Sequence, residues 1–170
     1  MEKHRGVSGT MGRRALSKKR AGRGFTLVDL MIAVVVIGVL LGFGIHRYNR
    51  YKMSAKVAKT ASEITSLATA FVAYMAANEV YPPDSHEFLP PGMDEYIDPA
   101  IWADETPLGG HYNWEGSDTY PYVGLSIFQP TAPPEAIQLL DQMLDDGNLA
   151  FGKFRIEANG RPTLIIEDNP

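Results

Sequence analysis

From Phe25 to Ile45 the chain is apolar at nearly every position, and a single carboxylate, Asp29, interrupts the run near its start. The run covers 21 residues. At a helical rise of about 1.5 Å per residue it reaches about 31 Å, the thickness of a bilayer core. It exceeds the roughly 7 to 15 apolar residues of a signal-peptide core, and no Ala-x-Ala site follows it. No second stretch after Ile45 is comparably apolar.

The pattern changes beyond Ile45 without a break. No proline occurs between Phe25 and Tyr81, which leaves room for one helix of up to about 55 residues. In its second half Val57, Ala61, Ile64, Leu67/Ala68, Phe71, Met75 and Asn78 recur at steps of three and four, the period of a buried helical stripe. Lys52, Lys56, Lys59 and Glu63 mark the wetter face. In the apolar half Gly38 and Gly42 have the spacing that lets membrane helices approach closely, and ordinary glycine enrichment of such helices accounts for them equally well. Tyr81-Pro82-Pro83 stops the helix.

The rest alternates in short segments. Residues 82–110 are rich in turn signals, with a short helical turn around Met93 to Ile97. His111 to Glu115 and Tyr120 to Gln129 read as strands, the second interrupted by Pro121. Glu135 to Asp146 reads as a helix opened by Pro133-Pro134 and closed by Gly147. Leu149 to Glu157 and Thr163 to Glu167 flank Asn159-Gly160, a two-residue hairpin signal. Pro162 sends the last strand to a late start or a sheet edge. The expected fold class is α+β: a long N-terminal helix, membrane-spanning in its first half, packed on a small antiparallel sheet.

Charge refines this division. The net charge of −4 conceals a basic N-terminus and an acidic remainder. Residues 1–24 hold eight Lys/Arg and one acid, whereas from Thr60 onward there are 3 basic and 18 acidic residues. So acidic a head argues against nucleic acid as a partner, because phosphate contacts need a basic patch. Beside an apolar span, the basic N-terminal residues place the N-terminus in the cytoplasm. The preference is modest, since Arg47, Arg50, Lys52, Lys56 and Lys59 stand on the far side. Cysteine is absent, so nothing depends on disulfides.

Candidate chemistry is sparse. His4, His46, His86 and His111 have no metal-ligand spacing. Ser117 and Ser126 lack a nucleophile-elbow context, and Gly109-Gly110 leads into His-Tyr rather than a phosphate loop. Tyr112, Trp114, Tyr120, Tyr122 and Phe128 read as sheet packing. Asp29 is the sharpest residue. By insertion scales an acid at the helix centre in lipid costs at least about 2.5–3.5 kcal/mol. A positive partner from another chain would offset that cost. Cleavage before Phe25 would create one, a free α-ammonium. At about 4 Å and an effective dielectric near 20, the attraction is roughly 4 kcal/mol. The competing expectation is an acid tolerated near the membrane edge, snorkelling towards headgroups.

Arg23-Gly24-Phe25-Thr26-Leu27-Val28-Asp29-Leu30-Met31-Ile32 resembles the N-terminal signal of type IV pilins and type II secretion pseudopilins: a basic leader, Gly before an aromatic residue, then an apolar helix with an acid at the fifth mature position. Ala61 to Tyr81 looks like the stem of a major pseudopilin entering its head, and Thr106-Pro107-Leu108-Gly109-Gly110 lies where such proteins carry a Pro/Gly-rich turn. The resemblance implies a pilin-like fold with a cleaved leader (1–24), a membrane and assembly helix (25–45), an amphipathic stem (46–80) and a globular head (81–170). It implies cleavage between Gly24 and Phe25 by a prepilin peptidase, N-methylation of Phe25, and assembly through Asp29. It also implies polymerisation with pilin-like subunits on an inner-membrane assembly platform, with the head periplasmic.

No enzymatic activity is expected. A secretion pseudopilus is the first expectation, a type IV pilus for adhesion, motility or DNA uptake the second, and a single-pass periplasmic binding module or enzyme the third. Two departures stand out: the family's usual acid is Glu, one methylene longer than Asp29, and the helix-kinking proline of one pilin class is missing near His46. Major pseudopilins carry calcium in the C-terminal part of the head, which makes Asp145, Asp146 and Asn148 candidate ligands. An Asp-Gly turn closing a helix explains the same residues without metal.

Overall fold

The computed structural model describes residues 24–170, so the basic leader, with His4, lies outside the described residues. The first helix, α1, spans Leu27–Asn78 and forms the long element expected from the proline-free stretch. The chain divides within it, after Gly42, into two units.

In the N-terminal unit α1 is exposed all round, with Leu30, Ile32, Val35, Ile37, Val39 and Leu41 each more than half open. By length and composition it is the one helix among the described residues able to cross a membrane. A Cβ at Gly38 or Gly42 would meet nothing within 4 Å, so no intrachain packing requires either glycine.

In the second unit α1 buries one stripe: Val57, Thr60, Ala61, Ile64, Leu67 and Phe71. The predicted face is therefore right over four turns. Ala68 and Met75 are half-buried and Asn78 is exposed, because Tyr74 takes over the end of the stripe and packs edge-on against Tyr96 at 5.6 Å. Thr60, Thr65, Ser66 and Thr69 return their hydroxyls to carbonyls one turn back, which lets polar residues sit inside the helix. The helix stops before Tyr81-Pro82-Pro83. Glu79 turns left-handed at φ 60°, its N–H donates to the Met75 carbonyl, and the Asn78 amide donates to the Tyr74 carbonyl.

After a 3-10 turn at Met93–Glu95 and a short helix, α2 (Pro99–Ala103), the sheet begins. It has four antiparallel strands: β1 His111–Glu115, β2 Tyr122–Phe128, β3 Phe154–Ile156 and β4 Pro162–Asp168. Their order is β1-β2-β4-β3, and helix α3, Pro134–Leu144, connects β2 to β3.

Three expectations need correction. The strand read over Leu149 to Glu157 shrinks to Phe154–Ile156, since residues 149–153 form turns with Gly152 at φ 100°. Pro162 does not mark an edge. It occupies the first position of β4, an inner strand, where a missing N–H is tolerated. The hairpin turn is not of the two-residue type, which would hold Asn159 at positive φ. Only Gly160 is left-handed there, at φ 78°, and the bonds Gly160 N–H to Glu157 O and Glu157 N–H to Arg161 O describe a type I turn with a glycine bulge.

The two faces of the sheet differ in kind. Tyr112, Trp114, Leu125 and Ile127 face the stem, where Trp114 stacks flat on Phe71 with ring centroids 3.8 Å apart. Trp102 packs on the same phenylalanine at 5.8 Å. The opposite face is buried but polar, and its centre is Glu115, fully buried. Its carboxylate accepts from Tyr122 Oη (2.7 Å), Ser126 Oγ (2.9 Å), Asn159 Nδ2 (2.9 Å), Arg161 Nη1 (3.2 Å) and Thr163 Oγ1 (3.4 Å). One carboxylate thus ties β1, β2, the last hairpin and β4. Asn159 does not take the left-handed position because its side chain is spent on Glu115 and on the Arg161 N–H.

Phe71 joins the stem to the sheet through Trp114 and to α2 through Trp102. Phe71→Ala should lower unfolding stability by about 3–5 kcal/mol, the range for a buried aromatic emptied to alanine. Chemical denaturation followed by tryptophan fluorescence reads this directly, and a change below about 1 kcal/mol would contradict that packing role.

Candidate functional site

The start of α1 shows how its sequence sets its geometry. Gly24, Phe25 and Thr26 are non-helical, and Phe25 is 90% exposed. The Gly24–Phe25 bond therefore lies in open backbone just ahead of the helix. Thr26 stands before Leu27, in the N-cap place, and Asp29 comes three residues later. The Thr26 hydroxyl accepts from the Asp29 N–H at 3.2 Å, and the Asp29 carboxylate accepts from the Thr26 N–H at 3.0 Å and from the Thr26 hydroxyl at 2.8 Å. This is a reciprocal capping box, the Thr-x-x-acid device that satisfies orphan amides at a helix start.

The backbone N–H and hydroxyl of Thr26 hold the acid at the helix start. Both carboxylate bonds fall on Oδ2. Among the described residues Oδ1 has no hydrogen-bond partner, and it lies on an exposed surface beside Phe25 and Ile32. Asp29 sits where the positive end of the helix dipole already favours an anion. The signal for the cap was present in the sequence as Thr26-x-x-Asp29, but the attention drawn by the acid's burial cost in lipid hid it.

The acidic turn of the head is only in part as expected. Asp145 and Asp146 gather with Asp141, one turn back on α3, and the three can bring carboxylate oxygens within 4.8 Å of one another. Asn148, expected beside them, has its Oδ1 accepting from the Ala150 N–H in a local turn, while Asp146 accepts from the Asn148 N–H. Asp145 accepts from the Lys153 N–H. Asp141 is the member that sequence reading missed, because it falls on the buried side of an amphipathic helix where an apolar residue is the norm. It is fully buried, and neither carboxylate oxygen has a hydrogen-bond partner. Burial pushes its carboxyl above the ordinary 3.8. Asp146 adds to the rise, the Gly147 N–H, close by but outside hydrogen-bond geometry, pulls the other way, and Asp145 adds again.

The histidines form no site among the described residues. His86 Nδ1 meets Asn113 Oδ1 at 2.7 Å and its ring packs edge-on against Phe128, while His111 is exposed. Tyr112 and Trp114 are core residues, as expected.

Residues 19–45 match the model of the prokaryotic N-terminal methylation motif. The chain is 41% identical over 51 residues to a fimbrial protein of Pseudomonas aeruginosa, which covers 30% of this chain and 33% of that protein. It is 32% identical over 94 residues to the type II secretion system core protein G of Escherichia coli, covering 55% of this chain and 59% of that protein. A type IV major fimbrial protein of Dichelobacter nodosus matches at 38% over 52 residues, covering 31% and 33%. The chain thus spans from a third to under two thirds of the relatives it matches. It carries a prokaryotic N-terminal methylation motif at the head of an apolar helix, and over part of its length it is similar to a type II secretion core protein G and to type IV fimbrial proteins.

Proposed function

We propose that the chain is a structural subunit of a type II secretion pseudopilus, without chemistry of its own. A prepilin peptidase cuts it between Gly24 and Phe25 and methylates the new N-terminus at Phe25. The apolar part of α1 holds it in the inner membrane with the head periplasmic, and an assembly platform stacks it with other pilin-like subunits. The observation that carries this reading is the form of Asp29: a carboxylate fixed by Thr26 through one oxygen, with the other free beside an exposed Phe25. A neighbour's Phe25 α-ammonium supplies the charge that Oδ1 lacks. In lipid such a pair is screened far less than in water.

A type IV pilus built on the same helix is the second reading, supported by the fimbrial relatives. The Escherichia coli secretion protein matches over 94 residues, against 51 and 52 for these two fimbrial proteins, and this longer likeness is what supports putting the pseudopilus first. Deletion of the gene separates the two: lost secretion with surface fibres intact supports the pseudopilus, and the reverse supports the pilus.

Capping and pairing are separable by substitution. Asp29→Asn can still accept from the Thr26 N–H but carries no charge, so leader cleavage should persist while incorporation into filaments is lost. Thr26→Ala removes the cap at a helix cost of about 1 kcal/mol but keeps the charge, and should assemble. Sheared-filament yield measures both. Normal assembly of Asp29→Asn would reduce Asp29 to a helix cap.

We further propose that Asp141, Asp145 and Asp146 hold a calcium ion. The donors fit: three carboxylates without an ion-pair partner among the described residues, one of them buried with both oxygens open, suit a hard cation that takes oxygen ligands. The ion would neutralise the turn that closes α3 and fix the approach to β3. The pH sign follows from the raised Asp141 carboxyl. The folded state holds its proton where the unfolded state has lost it, so stability falls as pH rises from the ordinary carboxylate range through the raised value, and neutral pH lies on the penalised side. In chelator at neutral pH, Asp141→Asn should therefore melt above the wild-type protein. Calcium should raise the wild-type melting temperature and leave the variant unmoved. Equal responses of the two, in detergent-solubilised protein, would dismiss the site.

A further inference from the structure

Two oppositely charged surfaces of the second unit hold charges that are left unpaired among the described residues. One is a band on the stem. Arg47, Arg50, Lys52 and Lys56 are exposed with no acid between them, and among the described residues none of the four makes an ion pair. Tyr48 and Tyr51 stand out in the same band, 66% and 70% exposed. The other is a groove of about 530 Å³ between α1 and the segment from the 3-10 turn through α2. Glu63, Asp98, Asp104 and Glu105 line it against a single cation, Lys59, which pairs with Glu63 at 3.4 Å. Glu63 also accepts from Tyr112 Oη, and Asp98 caps α2 through the Ala100 N–H. The side chains of Asp104 and Glu105 have no hydrogen-bond or ion-pair partner among the described residues. The groove is not purely polar, since Leu67 and Tyr96 contribute to its wall and Ile101, half exposed, stands at its side.

We propose that this groove receives the basic band of a second copy of the chain. Lys52 and Lys56 of the neighbour, one turn apart on one face of α1, meet Asp104, Glu105 and Asp98, and its Tyr48, a turn earlier on that face, covers Ile101. The centres of band and groove lie about a dozen residues apart on α1, so the neighbour is displaced along the stem axis by roughly 18 Å. The contact rests on the filament reading given above and adds what the apolar helices cannot supply, a register between heads. Helices that are apolar all round slide against one another at little cost. Rows of opposite charge at fixed heights, by contrast, penalise every offset that brings like charges together. Anionic lipid headgroups are the competing occupant of the basic band, since cations with exposed tyrosines also suit a membrane interface.

The absence of cysteine makes the test clean. Full-length chains with different tags, one carrying Lys52→Cys and the other Asp104→Cys, are co-expressed in membranes that assemble filaments and then oxidised. A chain pair carrying Val34→Cys and Leu41→Cys reports bundling of the apolar helices independently. The expected result is a mixed-tag dimer from the 52–104 pair. Asp104→Lys with Glu105→Lys should cut filament yield by about tenfold, the effect of losing two or more exposed pairs. Adding Lys52→Glu and Lys56→Glu to that chain should restore most of it. A helix-pair dimer without the 52–104 dimer, or charge reversal without rescue, overturns the groove contact and leaves the filament reading standing; the second result would assign the band to lipid. Failure of both dimers overturns both readings.

Discussion

A carboxylate in an apolar helix must be satisfied, and the way Asp29 is satisfied governs what the chain can do. Its own capping box answers the local demand and fixes the helix start, leaving one oxygen bound and one open. Without the cap the acid would be a floppy charge that could reach towards headgroups. With both oxygens occupied it would have nothing to offer a neighbour. Half-satisfaction gives the side chain a fixed direction together with a remaining electrostatic need. The shorter reach of Asp relative to Glu fits this arrangement, since an aspartate at N3 closes on its own N-cap threonine with no chain to spare.

The head solves a different problem with related means. Its stem face is aromatic and apolar, with Phe71 between Trp102 and Trp114, whereas its far face is closed by polar groups around Glu115. Replacing a buried pair of this kind by apolar residues is often neutral for stability. Here the carboxylate on β1 is met by five donors from β2, the last hairpin and β4. It therefore sets how the last hairpin sits on β1 and β2 in a way that non-directional apolar packing would not. Asp141 is the contrasting buried acid, with no hydrogen-bond donor on either oxygen, and its burial pushes its carboxyl above the ordinary range. The two carboxylates show that burial alone does not decide a charge's role; the number of donors aimed at it does.

The long helix, its buried stripe, β1 and the α3 segment were all legible in the sequence, because each rests on local periodicity or on residues a few positions apart. What escaped depended on distant partners or on competition for a side chain. Glu115 needed Arg161 and Asn159 from the far end of the chain. The two-residue turn failed at Asn159 because that side chain was engaged elsewhere. Asp141 sat at an apolar position, and its link to Asp145 and Asp146 only appears once the end of α3 is built. The capping box was local and visible as Thr26-x-x-Asp29, but a threonine in a membrane-grade run reads as filler until its hydroxyl is placed.

The account's central claim is that Phe25 becomes the N-terminus and that its ammonium meets Asp29. Mass spectrometry of the native protein tests the first step directly. The account predicts an N-terminal peptide that begins at Phe25 and carries one methyl group on its α-nitrogen. A peptide beginning at Met1, or at any cut other than Gly24–Phe25, would contradict it.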